Sequence, residues 1–180
     1  MIEKIGVFLS ANEDVPDSFR QATEDVAAWI GRTGRTLVFG GASKGMMEVL
    51  AQGVKRSGGR TFGIVPQILV DRGAVSDALD VTFRTADLND RKAQLIELSD
   101  VLLALPGGIG TLDEVFTALG ARSIGIGAPR VILYNVDGCW DKLLSLLDSL
   151  YRQKLLRDKP ERIVSVVSSV AELEALLAKD

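Results

Sequence analysis

One run of residues concentrates the chemistry: Asp100-Val-Leu-Leu-Ala-Leu-Pro-Gly-Gly-Ile-Gly-Thr-Leu-Asp-Glu114. Its apolar half, Val101–Leu105, has the continuous hydrophobicity of a strand buried on both faces, and Pro106 stops it. Gly107, Gly108 and Gly110 allow backbone angles and close approaches that a Cβ would forbid. The spacing predicts a helix from Thr111, whose first N–H groups lack intrahelical acceptors and carry the positive end of the helix dipole. Orphan donors and dipole converge on the space above the strand, which makes a cradle for phosphate. Glu114 follows within one turn, close enough to reach whatever the cradle holds. A second glycine run, Gly40-Gly41-Ala42-Ser43-Lys44-Gly45, follows another apolar segment, Thr36–Phe39.

Several chemistries are excluded at once. The 180 residues contain no histidine, which removes Ser-His-Asp and Cys-His nucleophilic catalysis, His-ligated zinc and imidazole acid–base work. Gly108-Ile-Gly110-Thr-Leu-Asp113 lacks the third glycine of a dinucleotide fingerprint, and Phe39-Gly40-Gly41 stands where a ribose-binding acid would be expected. No glycine run ends in Gly-Lys-Ser/Thr, so a Walker loop is absent. Nothing marks any lysine as a buried Schiff-base former. A small phosphorylated ligand between two glycine loops remains. The helix dipole supplies only ~0.3–2 kcal/mol, whereas micromolar affinity needs about 8 kcal/mol. Cations must contribute, and Lys44, Arg91 and Lys92 lie nearest the strand ends.

These residues also have structural explanations; Lys92, at the margin of an apolar stripe, reads as an ordinary surface lysine. Arg91 falls inside the apolar stripe Leu88, Leu95, Leu98, where it either faces a ligand or snorkels to water or pairs with Asp87. Glu114 and Asp113 are favourable in a first helical turn for dipole reasons alone. Glu114 lies opposite the Leu112, Phe116, Leu119 stripe, on a face with Thr111, Ala118 and Ala121 that leaves room for a ligand or a partner helix.

The elements that must position these groups alternate along the whole chain. Strands are expected at Lys4–Leu9, Thr36–Phe39, Arg60–Val65, Val81–Arg84, Val101–Leu105, Val131–Tyr134 and Ile163–Val167. Helices are expected at Phe19–Ile30 (capped by Asp17 or Ser18), Met46–Lys55, Asp87–Leu98, from Thr111, at Trp140–Leu150 and at Ala171–Ala178. Gln67–Asp80 is the least patterned stretch, a loop with one short helix at most. The alternation predicts a single α/β domain over 1–180, a Rossmann-like, doubly wound, mostly parallel sheet flanked by helices. In such a sheet ligands sit beyond the carboxyl ends of the strands at the topological switch point, where both glycine loops fall. Hydrophobic residues at 47% suit a globular core, and a net charge of −3 argues against nucleic acid as a partner. No apolar run reaches the ~20 residues of a membrane span. A lone Cys139 and an N-terminus without a signal-peptide pattern suggest a cytoplasmic protein.

Arg91-Lys92-Ala93 on one helix, followed by Leu105-Pro-Gly-Gly-Ile-Gly-Thr-Leu-Asp-Glu114, resembles the paired RKA and PGGxGTxxE motifs of the LOG (Lonely Guy) family. Its members are cytokinin riboside 5′-monophosphate phosphoribohydrolases, often mislabelled lysine decarboxylases. The similarity extends from Ile5-Gly-Val-Phe8 through Gly40-Gly41 and Gly59-Arg-Thr-Phe-Gly-Ile-Val-Pro66 to Asn135-Val-Asp-Gly138 and Val164. It implies hydrolysis of the N-glycosidic bond of a purine nucleoside 5′-monophosphate, with Arg91 and Glu114 as the catalytic pair. By the same resemblance Gly40, Gly41, Lys92, Gly107, Gly108, Ile109, Gly110 and Thr111 contact substrate or its phosphate, with no cofactor and no metal.

Some surroundings depart from the family pattern. GGGxxGLMG becomes Gly40-Gly-Ala42-Ser-Lys-Gly-Met-Met-Glu48, the usual Met-His becomes Leu88-Asn89, and a PRE segment aligns with Asp71-Arg72-Gly73. The Trp-Ala-Gln stretch is replaced near Ala121-Arg122-Ser123, and Leu9-Ser10-Ala11 stands where CGS is common. The alternative function is a non-catalytic carrier or sensor of a nucleotide or of molybdenum cofactor on the same fold. The resemblance also implies a homodimer, for which the Thr111, Ala118, Ala121 face is small enough to admit a partner helix.

Overall fold

The computed structural model describes residues 2–179. Seven strands form one sheet: β1 (Lys4–Phe8), β2 (Thr36–Phe39), β3 (Arg60–Pro66), β4 (Val81–Thr85), β5 (Val101–Ala104), β6 (Arg130–Tyr134) and β7 (Val164–Val167). Their order is β4-β3-β2-β1-β5-β6-β7 and every neighbouring pair is parallel. The α/β, doubly wound arrangement therefore matches the expectation. The order reverses between β1 and β5, so the crevice of the fold opens there.

The central strands are largely apolar because both faces of the sheet are covered there, whereas the edge strand β4 is mostly exposed. Ile5, Val7, Leu37, Phe39, Val101, Leu103 and Ile132 join α1 (Asp17–Arg32), α2 (Gly45–Arg56) and, at the chain's end, α8 (Val170–Leu177) in one core. Phe8, Val38, Leu102, Ala104, Val131 and Leu133 point the other way. They pack under α4 (Leu88–Glu97), α5 (Ile109–Ser123) and α6 (Asp141–Arg152). The side-chain period of two divides one apolar strand between two cores.

Some boundaries differ from expectation. α1 begins after Pro16 with no side-chain cap, so neither Asp17 nor Ser18 caps it. Pro16 presets the entry and leaves the first N–H groups to water. α4 starts one residue late because Asp87 is its cap, accepting from the N–H groups of Asn89 and Asp90. α5 starts at Ile109, two residues before the expected Thr111, since Gly108 serves as the N-cap. The 67–80 stretch holds the short helix α3 (Gln67–Asp71), and a further short helix, α7 (Pro160–Ile163), precedes β7. Residues 74–76 run antiparallel beside the loop after β2. Ser43 N–H donates to the Ala74 carbonyl (3.1 Å) and Ser76 N–H to the Gly41 carbonyl (2.9 Å).

Candidate functional site

The loop after β5 is built as an open donor array. Pro106 turns the chain, and its carbonyl accepts from Ser10 N–H (3.2 Å), tying the loop to the end of β1. A Cβ on Gly107 would stand 2.0 Å from Thr111 Oγ1, so glycine there lets the loop fold back on Thr111. Gly108, Ile109 and Gly110 are exposed and Thr111 is buried. Among the described residues no acceptor meets the N–H groups of Ile109, Gly110 or Thr111, and no side chain caps the helix. The Thr111 hydroxyl likewise has no hydrogen-bond partner there. Free amides, hydroxyl and helix dipole thus face one point at the switch crevice.

Arg91 reaches this point from α4. Its Nε donates to the Ile64 carbonyl at the end of β3 (3.2 Å), and its Nη1 lies 3.4 Å from Glu114 Oε1. The Asp87 alternative is settled, because the Asp87 carboxylate is occupied as the α4 cap. Gly40 is what admits the guanidinium: a Cβ there would lie 1.9 Å from Arg91 Nη2. Gly41 sits behind it at φ +71°, where a Cβ would strike Val65 Cγ2 at 2.5 Å. Both glycines are buried. Lys44, exposed at the start of α2, makes no ion pair with a described residue. Leu88, expected within an apolar stripe, is 62% exposed, while Leu95 is buried in the core.

Glu114 is only 5% exposed and accepts no hydrogen bond from any described residue. Burial pushes its carboxyl up to about 7. Arg91 pulls against that rise, the Asp113 charge adds to it, and Lys92 opposes it in turn. A carboxyl poised near neutrality in a crevice is the kind of group that general acid–base chemistry uses. Gly40→Ala should force Arg91 away and so remove the main opposition to that rise. Carboxyl NMR of the variant should show Glu114 titrating above its wild-type value; an unchanged titration would mean that Gly40 does not seat the arginine.

Lys92 does not stand free at the crevice. Its Nζ contacts both Asp113 oxygens, at 2.9 and 2.8 Å. Asp113 and the Ile64 carbonyl are the groups that sequence reasoning missed. Asp113 had only a dipole explanation, and a backbone carbonyl 27 residues from Arg91 leaves no trace in the sequence.

The faces of α5 reverse one expectation. Thr111, Glu114, Val115, Ala118 and Leu119 are buried while Ala121 is half-buried; Ala118, at 0% exposure, packs inside and cannot meet a partner. The opposite face carries Ile109 at 83% and Phe116 at 42% exposure. Among the described residues no cluster of three His, Cys, Asp or Glu could hold a metal ion. No helix there is long and apolar enough to cross a membrane.

A family model described as possible lysine decarboxylase matches residues 47–177. Arabidopsis thaliana cytokinin riboside 5′-monophosphate phosphoribohydrolase LOG3 is 31% identical over 170 residues, covering 94% of this chain and 79% of that protein. LOG5 of the same plant is 30% identical over 171 residues, covering 95% and 75%. Among solved structures, the molybdenum cofactor binding protein of the phototrophic bacterium Rippkaea orientalis superimposes with a TM-score of 0.74. Its identity is 29%, over 99% of this chain and 97% of that one. The molybdenum cofactor carrier protein of Chlamydomonas reinhardtii gives a TM-score of 0.74 at 26% identity, over 99% and 98%.

Proposed function

This chain belongs to the LOG family, the family of the possible lysine decarboxylase model, and on that premise we propose that it hydrolyses the N-glycosidic bond of a purine nucleoside 5′-monophosphate. The products are the free base and ribose 5-phosphate. The observation that carries this is a buried, unbonded carboxylate, Glu114, held beside Arg91 over the free N–H groups that open α5.

The 5′-phosphate takes the amides of Ile109, Gly110 and Thr111 with the Thr111 hydroxyl, which brings the ribose to Glu114. As the C1′–N bond lengthens, its electron pair leaves with the base and positive charge grows on C1′ and the ring oxygen. The Glu114 carboxylate stabilises that charge, orients a water molecule on C1′ and takes its proton as the new C–O bond forms. Solvent supplies the proton that the departing base needs, and Glu114 returns its own to solvent. Arg91 stays charged throughout; it orients the substrate and offsets negative charge developing on the base. The chemistry uses no histidine, in keeping with its absence, and the lone Cys139 suits a reducing cytoplasm.

Incubation of the protein with a panel of nucleoside monophosphates, with free base followed by chromatography, tests the proposal. Base release from a purine nucleotide is expected. The molybdenum cofactor proteins of the same fold favour a second function, carriage without turnover. Tight binding of nucleotide or cofactor with no base released would favour that function over hydrolysis.

We also propose a homodimer, with the exposed Ile109 and Phe116 face of α5 packing about a twofold axis in place of the buried Ala118 face. Phe116→Asp should reduce the mass measured by light scattering from two chains to one. A wild-type protein that is monomeric at micromolar concentration would defeat this assembly.

A further inference from the structure

Consecutive residues of α4 pair in reverse order with consecutive residues of α5: Arg91 with Glu114, and Lys92 with Asp113. The two pairs differ in kind. The inner one is buried, with side chains 14% and 7% exposed, yet its atoms stand 3.4 Å apart without a hydrogen bond. The outer one is closed, the Lys92 ammonium contacting both Asp113 oxygens within 2.9 Å, while the Asp113 side chain is 57% exposed.

We propose that Lys92 and Asp113 form a strut between α4 and α5 that sets the spacing of Arg91 and Glu114, and that Lys92 is a positioning residue and not a ligand of the substrate phosphate. The proposal rests on the phosphoribohydrolase reading of this site.

Opposite charges in a drier setting attract more strongly than the same charges in water. The inner pair should therefore close to a hydrogen bond unless something else fixes the separation. Arg91 is tethered on its far side, with Nε on the Ile64 carbonyl and the guanidinium lying over Gly40. The Lys92–Asp113 contact fixes the other side, because it ties α5 to α4 one residue away from Glu114. The open inner pair leaves the Glu114 carboxylate without a bonded donor, as a group that must meet ribose and water requires. Lys92, meanwhile, is neutralised by its own partner, and a neutralised ammonium offers a dianionic phosphate little net attraction. The phosphate has the amides of α5 instead.

An ion pair this exposed on one side contributes little to stability, typically ~0.2–1 kcal/mol. Its loss should therefore appear in rate and geometry before it appears in folding. Misplacement of a reacting group by about 1 Å can cost ~10²-fold in rate, so a partial loss of position should cost about tenfold.

The test compares Lys92→Met, Asp113→Asn and the charge-swapped double variant Lys92→Asp/Asp113→Lys. Each single variant should lower kcat for AMP about tenfold. Affinity for ribose 5-phosphate, measured by calorimetry, should stay within about twofold, and the swap should recover most of the lost kcat. A tenfold loss of ribose 5-phosphate affinity in Lys92→Met, with tighter binding in Asp113→Asn, would make Lys92 a phosphate ligand and overturn the strut. A swap no better than the single variants would overturn it too. Crystal structures of the single variants supply a readout independent of turnover: the Arg91–Glu114 separation should depart from 3.4 Å, and an unchanged separation overturns the strut. Wild-type protein that releases no base from any nucleotide defeats the phosphoribohydrolase reading instead, and the variant structures still decide the strut.

Discussion

Glu114→Gln should release free base from AMP about 10²–10³ times more slowly than the wild type, the usual cost of removing one preorganised electrostatic contact from a transition state. The amide keeps the shape of the side chain and loses the negative charge that faces C1′. The same substitution should raise stability at pH 8, and the sign follows from linkage. Glu114 titrates at 4.5 when unperturbed and at about 7 in the folded chain, because it is buried. Between those values the folded state holds a proton that the unfolded state has released, so stability falls as pH rises from about 4.5 to about 7 and stays lower above that. At ~1.4 kcal/mol per pKa unit the fall is up to about 3 kcal/mol. Gln has no proton to lose. The variant's melting temperature should exceed the wild type's by several degrees at pH 8, with the gap closing near pH 5. Wild-type kcat should conversely rise with pH toward 7 as the carboxylate forms. Near-normal base release by the variant would remove Glu114 from the mechanism, and equal melting curves at pH 8 would deny that its carboxylate is unfavourably buried.

Adenosine should be processed with a kcat/KM roughly 10³-fold below that of AMP. The start of α5 offers three amides and the Thr111 hydroxyl to one anion, and no described group of the protein occupies them. Hydrogen bonds to a charged group contribute ~1.5–3 kcal/mol each, so three of them give at least ~4 kcal/mol, which is about 10³ in rate. Part of that binding energy holds the ribose against Glu114, so kcat should fall along with affinity. Comparison of the two compounds by initial rates and by calorimetry checks this. Equal handling of AMP and adenosine would mean that the open amides serve something other than a phosphate.

The parallel sheet was legible in the sequence because its central strands must be apolar on both faces, and Thr36–Phe39 and Val101–Leu105 carry that requirement openly. The open glycine turn after β5 was legible for a related reason: a proline, three glycines and a threonine after a buried strand admit few other backbones. The absence of histidine was decisive without any structure. Element ends were less so, since caps depend on local geometry. Asp87 caps α4 through its side chain, whereas α1 follows Pro16 with no side chain capping it.

Burial direction and long-range partners were decided by the tertiary structure. The spacing on α5 separates Phe116 from Glu114 correctly but does not say which face meets the sheet. Hydrophobicity alone would bury Phe116, yet it is 42% exposed, while Glu114 and Ala118 are buried beside Val115 and Leu119. Arg91 had two equal alternatives on its helix until β3 supplied the Ile64 carbonyl, β2 supplied Gly40 without a Cβ, and α5 supplied Glu114. Periodicity reports a residue's neighbours within its own element. The groups that place Arg91 and raise Glu114 come from other elements, and their meeting is fixed by the order of the strands and the packing of two helices over their carboxyl ends.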